Sequence, residues 1–322
     1  MQATATARTN LTGALCAMGG MACFSVNDMA IKFLSGGYAL HQVVLFRSAI
    51  GILIFVMLVM PLNGGPKVFR TRRLGMHIFR GFCVVFANTT FFLGVAAMPL
   101  ADAVAIFFIS PLVISVFSVI FLGETVGPRR WGAIAIGLAG VLVMLRPGTG
   151  TFQYAALLPL AAAVGYASLH MLTRRIGGTE SAATMSVYIQ ITFLFVSLFV
   201  GLAIGDGRFA GGTSPSLEFL FRAWIWPDPA DYPIFLAIGA CSTFGGFLIS
   251  QAYRVSEAAF VAPFEYVALP MALVWGVVVF SDWPDAMAWT GIVLIAASGL
   301  FLLWRETVKD AAVAVEAPKY RR

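Results

Sequence analysis

Residues 80–124 read RGFCVVFANTTFFLGVAAMPLADAVAIFFISPLVISVFSVIFLGE. Between Arg80 and Glu124 the only ionisable acid or base of the Asp/Glu/Lys/Arg set is Asp102. A helix crosses the hydrocarbon of a bilayer with about 20 apolar residues. The stretch is therefore long enough for two crossings, joined at the turn-forming Met98-Pro99. In hydrocarbon every backbone N–H and C=O must find a partner, which leaves helices or a closed barrel. Barrel strands would alternate in ten-residue segments, and no such alternation is present.

The same reading extends along the chain. Ten apolar segments are expected as helices, at about 12–34, 42–60, 75–97, 101–122, 131–145, 154–172, 183–204, 233–253, 258–280 and 287–304. The composition agrees. Of 322 residues 60% are apolar and 11% charged, and 32 glycines lift the apolar share to about 70%. A soluble chain carries about 25% charge, so this one has too little polar surface to cover a soluble globule. Its 28 phenylalanines argue equally against a disordered chain.

Charge position sets the expected orientation. With the N-terminus in the cytoplasm, fifteen Lys and Arg fall on cytoplasmic segments and three on outside loops. Such a bias is the signature of an inner-membrane protein with both termini inside. The net charge of +6 thus records topology, and nucleic acid is not an expected partner. The first apolar run is too long for a cleaved signal and reads as a retained helix. The long outside loop, 205–232, reads as a plain loop or as a segment lying on the membrane surface. The polar tail 306–322 is expected to be loose. Cys16, Cys23, Cys83 and Cys241 have no CxxC partner and read as small buried hydrophobes.

The two halves look related. Asp102 matches Glu257 at an offset of 155, and Gly140 and Arg146 match Gly299 and Arg305 at 159. Five helices per half, an odd number, would make the second half enter from the opposite side. The expected fold is thus an all-α integral membrane protein of ten transmembrane helices in two inverted five-helix repeats, 1–148 and 149–305. Inverted repeats of this kind are typical of secondary transporters.

Several motifs carry a family resemblance: Arg80-Gly81 opening the third helix, Met98-Pro99-Leu100-Ala101-Asp102-Ala103 at the turn, Ser110-Pro111 in the fourth, and Gly123-Glu124 closing it. Asn27-Asp28, Lys32 and Phe46-Arg47 add to it. In these the chain resembles the drug/metabolite transporter superfamily, EamA type. The resemblance implies a ten-helix carrier of small organic molecules. The segment Ala262-Pro263-Phe264-Glu265-Tyr266 departs from the more apolar stretch of many members. It resembles members that import large metabolites such as S-adenosylmethionine or riboflavin. Other members export amino acids or drugs.

Ionisable groups within a membrane helix cost about 2.5–3.5 kcal/mol each and usually face the bundle interior. Asp28 and Lys32 share a helix face at four-residue spacing and can pair. Arg47 lies about 7 Å below the same surface and Asp28 about 9 Å, at 1.5 Å per residue, so these two can also meet. They read as an ionic gate or substrate anchor on the outer half, as a static pair holding the first two helices together, or with Lys32 snorkelling to the surface. Arg80, with His77 a turn before it, is expected to snorkel toward the cytoplasm. Asn88 must bond a neighbouring helix or a ligand. Glu265 is expected at a depth similar to Tyr188 and Gln190 on the seventh helix and near Tyr166 and His170 on the sixth. A carboxylate there can bind substrate, carry a coupling proton, or specify packing. Phe91, Phe92, Phe107 and Phe108 can wall a cavity or face lipid. Pro111 and Pro263 interrupt their helices. Gly132, Ala133, Gly137 and Gly140 read as helix packing.

Other chemistries lack their residues. No phosphate loop of the GxxxxGK[ST] type occurs. Three histidines without clustered cysteine give no basis for zinc or haem, so no cofactor or metal is expected. GxSxG is absent, which leaves a lipid-directed enzyme or scaffold without a nucleophile. The expected partners are membrane lipids and a small-molecule substrate, with proton coupling as an option and a monomer or homodimer equally open.

Overall fold

The computed structural model describes residues 2–122, 128–146, 154–176, 180–212, 214–255 and 264–316. The described residues are helical apart from short turns and connections, without a strand. The helices are α1 (Gln2–Leu34), α2 (Leu40–Ile54), α3 (Leu74–Ala97), α4 (Leu100–Phe107), α5 (Ser110–Leu122), α6 (Pro128–Leu145), α7 (Leu157–Ile176), α8 (Ala182–Ile204), α9 (Pro215–Phe221), α10 (Tyr232–Val255), α11 (Ala268–Phe280) and α12 (Ala286–Glu316). A π-helical turn, Phe55–Val59, carries α2 on to Leu62. Six helical stretches are long and apolar enough to cross a membrane: Leu11–Leu34, Leu40–Leu62, Leu74–Ala97, Tyr154–Thr173, Ala182–Ile204 and Pro229–Ala252. Four shorter apolar helices, Leu100–Ile114, Trp131–Leu145, Ala268–Phe280 and Ala286–Phe301, occupy the remaining segments expected from the sequence.

Local chemistry sets the helix ends. Met98 precedes a proline, which drives it out of the helical region. It adopts φ −148°, ψ 165°, and α3 stops at Ala97. Ser181 caps α8 by accepting from the Thr184 N–H at 3.0 Å. The expected fourth helix is broken. Its backbone turns at Phe108–Ile109 between α4 and α5. Pro111 lacks the N–H that would have reached the Phe107 carbonyl. A second break lies at Tyr266–Val267, between a helical turn at 264–265 and α11. Pro270 stands four residues beyond the Tyr266 carbonyl, as Pro111 does beyond that of Phe107.

Large apolar side chains remain exposed along the helices, among them Leu53, Met57, Phe82, Phe195, Phe199 and Leu202. In water such a surface would be an aggregation hazard. Against lipid tails it is the expected solvent-facing surface. Inside, the helices pair closely: α1 along α10, α3 along α7, α6 along α12, α2 between α8 and α10, and α4 on α11. Glycine permits the tightest crossing. A methyl group on Gly140 would stand 2.9 Å from the Leu294 Cβ and 3.1 Å from the Gly291 carbonyl oxygen.

One end of the bundle gathers the turn after α1, the start of α2 and the connection into α10; it is called here the Tyr38 end. The expected loop 205–232 is neither plain nor free on a surface. Its helix α9 packs on α3, where the Ser216 hydroxyl donates to the Leu93 carbonyl at 2.6 Å. Arg222 donates to the Ser35 carbonyl at 2.7 Å. The Tyr38 hydroxyl donates to Asp231 at 2.6 Å. The tail also differs from expectation, since α12 continues to Glu316. Residues 306–316 include three Ala, two Glu and one Lys, all good helix formers.

Candidate functional site

Three polar clusters lie in the bundle. The central one begins with Arg47 on α2, which is 2% exposed. Its Nη2 donates to the Asn88 Oδ1 on α3 at 3.0 Å. The guanidinium carbon stands 4.7 Å from the Phe193 ring centre and 6.0 Å from that of Phe92. One turn along α2, Gly51 lies against the amide of Gln190 on α8. Gln190 donates to the Ser242 hydroxyl at 3.0 Å, and the Thr243 hydroxyl donates to the Gly51 carbonyl at 3.0 Å. Arg47 Nε, Ser48 Oγ, Gln190 Oε1 and Asn27 Oδ1 are buried without a hydrogen-bond partner in the protein. Buried polar atoms in that condition call for water or a ligand.

Asp28 and Lys32 do not pair. Asp28 accepts from the Asn27 amide at 3.1 Å, and the cation whose field reaches it is Arg47. No ion pair closes between those two within 4.0 Å. Lys32 turns to the Tyr38 end instead. It donates to the Met98 carbonyl at 2.7 Å and pairs with Asp282 at 3.4 Å. The reason is reach: a lysine near its helix end extends toward the interface, and the turn after α11 supplies both a carboxylate and the Phe280 ring, 5.0 Å away. Asp282 lies outside every apolar run, so a search for charges within helices passes over it.

An aromatic path leaves Arg47. Phe92 meets Phe91 at 5.3 Å between ring centres, Phe91 meets Phe107 at 5.2 Å, and Phe107 meets Tyr166 at 5.1 Å. From Phe107 a branch runs through Phe108 at 6.3 Å to Tyr266 at 4.8 Å. The path ends at Glu265, 8% exposed, whose charge acts on both Tyr166 and Tyr266. Phe108 and Tyr266 sit at the two helix breaks, so the broken helices meet ring on ring. Glu265 and Tyr166 are together, as expected. Tyr188 and Gln190 are not with them, because Gln190 belongs to the Arg47 cluster. His170's side chain and Pro263 lie outside the described residues.

Tyr188 joins a third cluster at the opposite end. Its hydroxyl donates to the Phe69 carbonyl at 2.8 Å, and its ring stacks on His77 at 4.6 Å. His77 Nε2 lies 3.5 Å from Glu180, which also accepts from the Thr71 hydroxyl at 2.8 Å. Arg80 does not snorkel to water. It is 3% exposed and donates to the Thr173 hydroxyl at 3.0 Å. The tight α3–α7 pairing buries it before its side chain can reach the surface.

Asp28 and Tyr166 are enclosed by protein, yet each keeps some accessible surface. Asn88 and Phe107 are likewise only half-buried. Apolar walls with a few convergent polar groups are how small-molecule sites are built, and the Arg47 cluster sets Asn88 against the Phe92 and Phe193 rings. Among the described residues no cluster of His, Cys, Asp and Glu could hold a metal ion.

Comparison with known proteins agrees with this architecture. Residues 11–146 match the EamA-like transporter family. An S-adenosylmethionine uptake transporter of Rickettsia prowazekii is 26% identical, the match covering 93% of this chain and 95% of that one. A riboflavin transporter of Vibrio cholerae is 28% identical with the same coverage. A pseudopaline exporter of Pseudomonas aeruginosa is 27% identical over 90% of this chain and 95% of its own. One solved crystal structure shares the fold with a TM-score of 0.64 and 18% identity, covering 91% of this chain and 99% of that one. Residues 11–146 are thus similar to the EamA-like transporter family, and the named relatives that match most of the chain are membrane transporters.

Proposed function

We propose that this protein takes up a vitamin- or nucleoside-like metabolite across the bacterial inner membrane by alternating access. Ten membrane helices form two inverted five-helix repeats, with both termini cytoplasmic and the substrate site between the halves. The observation that carries this reading is the buried Arg47–Asn88 cluster beside the Phe92 and Phe193 rings, where Arg47 Nε, Ser48 Oγ and Gln190 Oε1 have no hydrogen-bond partner among the described residues. Asp28, Arg47, Asn88, Gln190, Tyr166 and Glu265 are the binding or coupling residues. Lys32 and Tyr188 act at the two ends.

The pairing of helices supports the repeat. Taking α4 with α5 as the fourth span, exchange of the two halves turns the α1–α10 pair into the α7–α3 pair. It leaves α2–α8, α4–α11 and α6–α12 as pairs. The end clusters obey the same exchange. Asp231, before α10, meets Tyr38, after α1; Thr71, before α3, meets Glu180, after α7.

Alternating access draws support from where the repeat is not symmetric. At the offset of 159, Gly140 corresponds to Gly299 and Gly132 to Gly291. Gly140 lies against Gly291 at the Tyr38 end, whereas a side chain on Gly132 would meet nothing and Gly299 faces the Tyr266 hydroxyl. Among the described residues the α6–α12 crossing is thus closest toward the Tyr38 end. We take the tight end as the outside, a choice that the bias of Lys and Arg supports, and this conformation is then the inward-facing one. A second tight crossing, Gly132 on Gly299, belongs to the outward-facing one.

The named relatives supply the candidate cargo, since two of them carry S-adenosylmethionine and riboflavin. Similarity of the same order to a pseudopaline exporter supports a second reading, export. Uptake of labelled candidates into proteoliposomes of known orientation, with and without a pH gradient, decides among these. Accumulation from the outside face is expected. Flux that only leaves from the cytoplasmic face would favour export. Flux insensitive to the gradient in both wild type and Glu265→Gln would remove proton coupling.

A further inference from the structure

We infer that the segment 214–226 is a pH-sensitive clasp on the Tyr38 end, closed by a bond from the Trp224 indole to an uncharged His41 and released when His41 takes a proton. The device goes beyond the transport reading and holds whichever face of the membrane that end meets.

The segment is bonded to both halves of the chain. On α8 the Gly205 carbonyl accepts from the Trp224 backbone N–H at 2.9 Å. The Trp224 ring fills a notch in α8, where a methyl group on Gly201 would collide with it. On the first half, the Gln42 amide of α2 donates to the Ile225 carbonyl. Arg222 donates to the Ser35 and Tyr38 carbonyls at 2.7 and 3.3 Å, and Ser216 holds α3 through the Leu93 carbonyl. Any separation of α2 or α3 from α8 at that end therefore has to break bonds of this segment.

Donor and acceptor chemistry fixes the state of the central bond. An indole N–H only donates. Here it donates to His41 Nδ1, with the ring centres 5.7 Å apart and the planes tilted by 35°. Nδ1 is therefore the unprotonated nitrogen, and His41, 4% exposed, is neutral. Its Nε2 closes no hydrogen bond. A second proton would set N–H against N–H and bury a charge that has no counterion.

The charged groups on the surrounding elements are engaged elsewhere. Within the segment Arg222 also donates to Glu218 at 2.6 Å. Before α10, Asp231 accepts from the Tyr38 hydroxyl and Asp228 from the Ala230 N–H. At the end of α8 Asp206 pairs with Arg208 at 3.7 Å, and at the end of α1 Lys32 pairs with Asp282. Along α2 the next charge is Arg47, and residues 88–97 of α3 carry none. Among the described residues, burial and the Leu220 carbonyl are what act on the imidazole. The ring thus takes its proton after the clasp has let go. An imidazole released to water titrates near about 6.5. Since the open form alone takes that proton, the open fraction grows about tenfold from about pH 7.5 to about pH 5.5.

The test is amide hydrogen exchange of the full chain in detergent, read by mass spectrometry on peptides containing Trp224 and divided by the intrinsic rate at each pH. Opening at the Trp224 amide should be about tenfold greater at the lower pH. His41→Asn places an amide oxygen, which accepts at any pH, where Nδ1 stands, and its corrected exchange should not change with pH. Trp224→Phe keeps a ring in the notch and removes the donor; its exchange should be equally flat, and faster than wild type at the higher pH. A flat wild type, or a pH dependence that survives in either variant, overturns the clasp and leaves the carrier reading standing.

Discussion

Arg47 is the residue on which the central cluster turns. Its planar fork is held between Asn88 and the Phe193 ring, a geometry a lysine ammonium does not reproduce. Arg47→Lys keeps the charge and loses the second donor and the stacking. Loss of one hydrogen bond to a charged group is worth about 1.5–3 kcal/mol. Transport by this variant should therefore fall on the order of tenfold or more with little change in melting temperature, as proteoliposome flux and thermal unfolding would reveal. Unchanged flux would assign Arg47 to packing. Lys32 and Asp282 give the opposite pattern. Their side chains keep 13% and 34% exposure, and a pair so placed contributes about 1 kcal/mol or less. A double-mutant cycle of Lys32→Met and Asp282→Asn on unfolding should return a coupling within that range.

At the element scale the glycines of α6 make a paired prediction. Gly140→Ala drives a methyl into the Leu294 and Ile295 side chains and the Gly291 carbonyl, and overpacking costs about 1–3 kcal/mol. Gly132→Ala meets open space and should be neutral or slightly stabilising, because alanine favours the helix. Differential scanning fluorimetry of the two variants separates them; equal shifts would contradict the one-ended crossing. The start of α12 adds a pH dependence. The Ala288 N–H first, and then the Arg146 guanidinium, holds the Asp285 carboxyl below its ordinary range. Its folded value lies below its unfolded one, so this contribution is full above the unfolded value and is lost as pH falls through the folded one. Asp285→Ala should cost about 1 kcal/mol as a lost cap at neutral pH, and should flatten the acid side of the melting profile. The helices themselves were legible because hydrocarbon leaves a backbone few options. The breaks at Phe108 and Tyr266 were not, since a proline marks a kink but not which turn yields.

For the whole molecule, the apolar runs and the bias of Lys and Arg carry the architecture, and the site residues mostly carry partner choice. Arg47, Asn88 and Gln190 assemble as buried polar residues should, and Tyr166 finds Glu265. Depth counted along single helices misjudged Tyr188, Gln190 and Arg80, and left Lys32 open between pairing with Asp28 and reaching the surface. Depth does not encode which helix stands opposite. The partners Asp282, Glu180 and Thr173 lie in turns or at a helix end, where composition carries no signal of a bond. Under the proposed repeat, each end cluster is the counterpart of the other. The central claim is that the Arg47–Asn88 site opens to either face in turn. Its most direct test is a single cysteine at Asn88 in a protein whose Cys16, Cys23, Cys83 and Cys241 are replaced by alanine. A membrane-impermeant thiol reagent is applied to each side of sealed vesicles. Labelling from both faces, in proportions that transported substrate changes, is the predicted result. Labelling from one face alone under every condition, or from neither, would contradict the account.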